Sequence, residues 1–181
     1  MDTERLLDAA HHATCLHHGQ RRKGAADLPY MAHVLDVARR LAAVHPEDET
    51  LLLAALLHDV VEDTDATEEG IAARFGADVA ALVMEVTDDM ALPEDERRRR
   101  QAEHVRHASD RAKRIKLADK ASNLTAIART PPDWTAEGMA AYVDWALEVI
   151  DPIRGVDPAL EAAFDAAVAE ARAATASLAG G

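Results

Sequence analysis

Residues 51–64 read LLLAALLHDVVEDT: seven apolar residues in a row run straight into His58, Asp59, Glu62 and Asp63. A helix that is apolar on every side belongs inside a bundle of helices. Here, then, a segment that must be buried ends in four groups that resist burial. On a helix, residues three or four apart share a face, which pairs His58 with Glu62 and Asp59 with Glu62 and Asp63. His58 and Asp59 point about 100° apart, so both reach a common point only near the helix end, with help from elsewhere. A bare carboxylate in an apolar pocket is costly, and coordination of a divalent cation is one of the few arrangements that offset the cost. Imidazole plus carboxylate is an N/O ligand set suited to Mn²⁺, Fe²⁺ or Zn²⁺. The competing account is an ordinary His–Glu ion pair closing a helix, and the second acidic pair argues against it.

Outward from this stretch, composition sets the frame. At 181 residues, with 49% hydrophobic content, the chain suits one domain with a real core. Aromatics are only 3% and alanine is abundant, which favours helices. The single cysteine, Cys15, allows no intrachain disulfide and no cysteine-based zinc cluster, as expected of a reducing cytoplasm. No apolar run approaches the length of a membrane span and MDTERLLDAA is acidic where a signal peptide is basic, so a cytoplasmic protein without membrane association is expected. The net charge of −13 argues against long nucleic acid as a partner. A small anionic substrate remains compatible if a metal and a few local cations meet it.

The spacing predicts helices over residues 4–18, from Pro29 to about Val44, and from Pro46 to about Val61. Asp65 with Glu68 three residues on reads as a capping box for a short helix closed by Gly76. Val79, Leu82, Val83 and Val86 mark the next. Residues 93–109 have almost no apolar face and read as a solvated helix or a loop, with Arg97–Arg100 on its wet side. Ser109 or Asp110 caps a long helix to about Ala128, Thr135 caps another to Ile150, and Asp157–Pro158 begins an alanine-rich last helix fraying into Gly180–Gly181. With no strand pattern and no linker, the expected fold is all-α: a single-domain bundle over residues 1–181, with a core of about 4–160 and a C-terminal helix and tail over 157–181.

A metal held by His58 and Asp59 needs further ligands. His33 sits just after PYMA on the second helix, and Asp119 interrupts a core-facing run in KLADKASNL. The order H…HD…D resembles the HD superfamily of metal-dependent phosphohydrolases. The other seven histidines (His11, His12, His17, His18, His45, His104 and His107) lack this pattern and read as surface or packing residues.

RRKGAADLPYMAH, AALLHDVVEDTDAT, FGADVAALVMEVTDD and KLADKASNL are similar to the hydrolase domain of the RelA/SpoT family, which degrades the alarmone (p)ppGpp. The eleven-residue step from Arg22 to His33, with EVTDD, TPPDW and YVDWA, resembles in particular the small stand-alone SpoT homologues, and the match runs in order from about residue 4 to 160. A synthetase domain of the bifunctional members has no room in 181 residues. The resemblance implies that His33, His58, Asp59 and Asp119 bind one Mn²⁺ or another divalent transition metal. It implies that Glu62 and Asp63 are the catalytic acidic pair, placed to hold and deprotonate a water. It also implies that Arg22, Lys23, Asn123 and Tyr142 contact a ppGpp or pppGpp substrate, whose 3′-diphosphate leaves as pyrophosphate. Two positions depart from the family pattern: Thr125 and Gly138 stand where basic residues are expected near the pocket mouth. These departures leave open a phosphatase acting on another purine nucleotide such as NADPH, beside a third reading as a catalytically idle alarmone sensor. A homodimer is compatible with the sequence.

Overall fold

The computed structural model describes residues 1–24 and 27–179. Residues 25–26, within the RRKGAADLPYMAH stretch, and the fraying end at residues 180–181 lie outside the described residues. Ten helices follow in order: α1 (Thr3–Leu16), α2 (Met31–Val44), α3 (Glu49–Leu57), α4 (Val60–Asp63), α5 (Glu68–Phe75), α6 (Ala77–Val86), α7 (Glu94–His104), α8 (Asp110–Arg129), α9 (Ala136–Ile150) and α10 (Pro158–Ala179). Among the described residues there is no strand, only an isolated antiparallel bridge between Arg21 and Pro29. No described helix is long and apolar enough to cross a membrane.

All seven residues from Leu51 to Leu57 are buried, as an all-apolar helix requires. Each buried leucine contributes about 1.5–3 kcal/mol, so α3 is the anchor on which its polar end is held. It packs between α1, α2 and α6, and α8 runs alongside α2 and α10 to complete the core. Several termini behave as read: Ser109 and Thr135 accept the backbone N–H groups of Ala112 and Gly138, and Asp157 accepts that of Leu160. Two details differ. Thr67, not Asp65, caps α5 by accepting from Gly70 N–H, because the hydroxyl sits three residues before that N–H. The third expected helix is also not continuous. It breaks at His58 and Asp59 (φ −103°, ψ −3°) and resumes as the single turn α4.

That break resolves the angular problem posed by the sequence. A continuous helix would splay His58 and Asp59 apart, whereas here Asp59 Oδ2 comes within 3.0 Å of His58 Nε2. A second local constraint positions the loop carrying Arg21–Lys23. Gly24 has φ +142°, and a Cβ there would lie 2.5 Å from the carbonyl oxygen of Thr130. The loop can rest against the C-terminal end of α8 only with glycine at this point.

Candidate metal centre

His33 from α2, His58 from the α3–α4 break and Asp119 from the middle of α8 converge, each offering one atom within 4.8 Å of the others, and all three are buried. His33 Nε2 lies 3.3 Å from Asp119 Oδ1 and 3.5 Å from Asp59 Oδ2. Asp59 stands beside both imidazoles but outside the tightest triple, and the same oxygen accepts a 2.7 Å hydrogen bond from Tyr30 Oη.

The hydrogen bonds around the imidazoles settle their orientation. His58 Nδ1 lies 2.8 Å from the carbonyl oxygen of Ala55. A carbonyl only accepts, so Nδ1 carries a proton and Nε2 is the nitrogen whose lone pair is available to a cation at the centre of the cluster. That nitrogen is buried, and Asp59 lies off-line for a hydrogen bond, leaving it without a partner. Buried polar atoms rarely stay unsatisfied, and a cation is the group this donor set fits: two imidazoles and hard carboxylate oxygens, suited to a divalent first-row metal. His33 is oriented in turn by Ser122, whose Oγ lies 3.1 Å from Nδ1.

The electrostatics show the same demand for positive charge, with a proton competing for His58 Nε2 when no cation is there. Burial pulls the His58 imidazole down, but the adjoining Asp59 carboxylate outweighs it and lifts the ring to about 9. Burial also raises Asp119, yet Lys120 and the two imidazoles hold that carboxyl far below its ordinary range. The cluster is thus a pair of buried anions that demands positive charge.

Directly over it lies a cleft of about 330 Å³ whose lining includes Tyr30, Glu62, Asp63, Asn123 and Tyr142, with Arg21, Arg22, Lys23 and Arg97 as its cations. Glu62 is half-buried and accepts a 3.0 Å hydrogen bond from Asp88 N–H. Burial, then the negative charges of Asp88 and Asp59, push its carboxyl up to about 7, a value at which a carboxylate takes a proton effectively at neutral pH. Asp63 sits exposed at the rim. Asn123 bridges cleft and cluster, donating to Asp119 Oδ1 at 2.7 Å and accepting from Arg22 Nη1 at 2.9 Å. Burial raises the Tyr142 phenol far above its usual value, so it stays a neutral hydroxyl.

All ten residues singled out in the sequence are therefore gathered in this cluster and its cleft. Other contributors, Arg21 among them, were not. Tyr30 and Ser122 were missed although both lie inside the quoted motifs, because nothing in their spacing shows that they face Asp59 and His33. Trp134 lines the cleft from the TPPDW turn. Arg97 corrects the reading of residues 97–100 as wholly solvated, since it lies on the cleft wall while Arg99 and Arg100 pair with glutamates outside. Thr125 also departs from expectation. It faces α2, where its hydroxyl meets Arg40 Nη2 at 3.0 Å, and does not line the cleft.

A family model described as HD domain matches residues 9–146. The chain is similar to guanosine-3′,5′-bis(diphosphate) 3′-pyrophosphohydrolase MESH1 of Xenopus tropicalis, with 46% identity over 166 residues, covering 91% of this chain and 93% of that one. The Homo sapiens protein of the same name is 44% identical over 165 residues, with 90% and 92% covered. A solved structure of a metazoan orthologue of SpoT, described as hydrolysing ppGpp and playing a role in starvation responses, superposes with a TM-score of 0.89 at 42% identity over 94% of this chain and 97% of the other.

Proposed function

The chain belongs to the HD domain family, and from that membership we propose that it is a guanosine-3′,5′-bis(diphosphate) 3′-pyrophosphohydrolase, Mn²⁺-dependent and cytoplasmic, with residues 1–181 acting as one hydrolase unit. The relatives' shared activity supports the reaction. The observation that carries the reading is the buried His58 Nε2, without a hydrogen-bond partner and set among His33, Asp59 and Asp119 beside a cleft lined by Arg21, Arg22, Lys23 and Arg97 together with Glu62 and Asp63.

His33, His58, Asp59 and Asp119 would hold the ion, which when bound supplies Lewis acidity toward a phosphoryl oxygen and makes water a stronger acid. The protein's own groups do the rest. Glu62, with its raised carboxyl, takes the proton of the attacking water, and Asp63 at the rim keeps that water oriented toward phosphorus. Water adds to the phosphorus of the 3′-diphosphate, the bond to the ribose 3′-oxygen breaks as that oxygen takes up a proton, balancing the one given to Glu62, and pyrophosphate departs, leaving GDP from ppGpp or GTP from pppGpp. Arg22, Lys23 and Arg97 offset the substrate's negative charge, Asn123 ties the nucleotide side of the cleft to Asp119, and Tyr142 offers an aromatic face to the base. Purified protein with ppGpp and Mn²⁺ releases pyrophosphate in a coupled assay on this reading; absence of release from protein with confirmed bound metal rejects it.

A further inference from the structure

Behind Asp119, on the side away from the imidazoles, lies a lysine that the proposed reaction does not use. Lys120 is 3% exposed, and charged side chains are almost never buried unless paired. Its Nζ donates to Asp119 Oδ2 at 3.1 Å and sits 4.2 Å from the ring centroid of Trp145 on α9. Consecutive helical residues do not share a face, so the lysine has to turn back toward its neighbour, and it does so with its ammonium over the aromatic ring. Trp145 is fixed in turn: its indole N–H donates to the carbonyl of Arg98 on α7, whose guanidinium lies 5.2 Å from the same ring. The outcome is a division of labour on one carboxylate. Oδ2 is occupied by Lys120, while Oδ1 faces His33 and accepts from Asn123.

We propose that Lys120, seated on Trp145, is a positioning residue: a built-in counter-ion that keeps Asp119 turned with Oδ1 toward the imidazoles before a divalent cation arrives. This rests on the metal-centre reading above. A fixed ammonium repels an incoming divalent ion and so does not serve to tighten it. What it does is hold the buried anions together while the ion is absent. The signature is therefore asymmetric: loss of the lysine charge harms the metal-free protein more than the metal-loaded one, whereas loss of simple packing harms both alike.

Thermal unfolding of the full chain in EDTA and in saturating MnCl₂ reads this difference without reference to turnover. Lys120→Met, which keeps the length and loses the charge, lowers the metal-free Tm by roughly 6–20 °C, the span for removing one partner of a buried pair in a chain of this size. In MnCl₂ it loses less than half of that. Trp145→Phe, which keeps an aromatic face, widens the gap between the two conditions less than Trp145→Leu does. Equal losses in EDTA and MnCl₂ for Lys120→Met overturn the proposal. If Lys120→Met folds in neither condition, the Trp145 pair decides: an EDTA-specific loss in Trp145→Leu supports it, and an equal loss overturns it. A parent chain whose Tm ignores Mn²⁺ rejects the metal centre itself, and the proposal with it.

Discussion

Two clusters in this molecule join a histidine on α2 or at its end to an aspartate, each with a group from α8 and from a third element, and they end in opposite states. At the far end of α2, His45 and Arg114 both donate to Asp157 Oδ2, while Asp157 Oδ1 accepts from Leu160 N–H at the start of α10. Both carboxylate oxygens of Asp157 have partners, one basic group is an arginine with a fixed charge, and the cluster is a closed clasp between helices. At the other end His33, His58, Asp59 and Asp119 leave a buried lone pair with no partner and two adjoining anions. The presence of histidine and aspartate does not distinguish the clusters. What distinguishes them is whether the hydrogen bonds close.

The comparison is broken most severely by exchanging the roles. His58→Ala removes the lone pair and abolishes turnover together with metal retention, measured by metal analysis alongside pyrophosphate release; an active, metal-replete variant would contradict the assignment. Glu62→Gln sharpens it from within the cleft: metal content stays at the parental level while kcat falls about 10²–10⁴-fold, the usual loss for a general base. Ser122→Ala leaves the ligands in place but frees the His33 ring, weakening Mn²⁺ binding about 10–100-fold by titration calorimetry, whereas an unchanged affinity would show that Ser122 is only packing.

At the closed clasp the expected losses are in stability. Asp157→Asn keeps a capping oxygen for Leu160 N–H but gives up the charge-assisted hydrogen bonds from His45 and Arg114, worth about 1.5–3 kcal/mol, visible as a lower denaturant midpoint with unchanged kcat per folded molecule. The pH dependence has a definite sign. Burial raises the Asp157 carboxyl, but the hydrogen bonds from His45 and Leu160 N–H and the Arg114 charge outweigh it and hold the group below its ordinary value of 3.8. Its contribution is therefore complete above the unfolded-state value and is lost as pH falls through the lower folded one. The stability difference between parent and Asp157→Asn should accordingly persist at pH 5 and shrink below about pH 4. A difference that vanished already at pH 6 would place the effect elsewhere.

Much of this was readable in the one-dimensional pattern. The apolar run of α3 gave its burial directly, and the caps at Ser109, Thr135 and Asp157 are local chemistry that a short window reveals. The ten candidate site residues were named because they lie in a few quoted motifs that carry the family resemblance, and because buried acids and imidazoles beside leucines, as at His58 and Asp59, are costly. The break between α3 and α4 was not legible: His58 and Asp59 have no helix-breaking character, and only the demand that both reach one point opens the helix there. Arg97 and Thr125 were misplaced for a related reason. A polar helix shows no face to the reader, and on α8 the face toward α2 differs from the face toward the cleft by a small rotation that no single residue declares.

The sequence by itself determined that the chain is helical, which of its segments are buried, and which residues could hold a cation, since these follow from periodicity and from the cost of burying charge near the residue concerned. Only the tertiary structure decided which lone pair is left open, which oxygen of Asp119 faces the imidazoles, and which of the many arginines reach the cleft. Those outcomes depend on hydrogen bonds between helices distant in the chain, and their angles and ångström-scale distances exist only once the helices have packed.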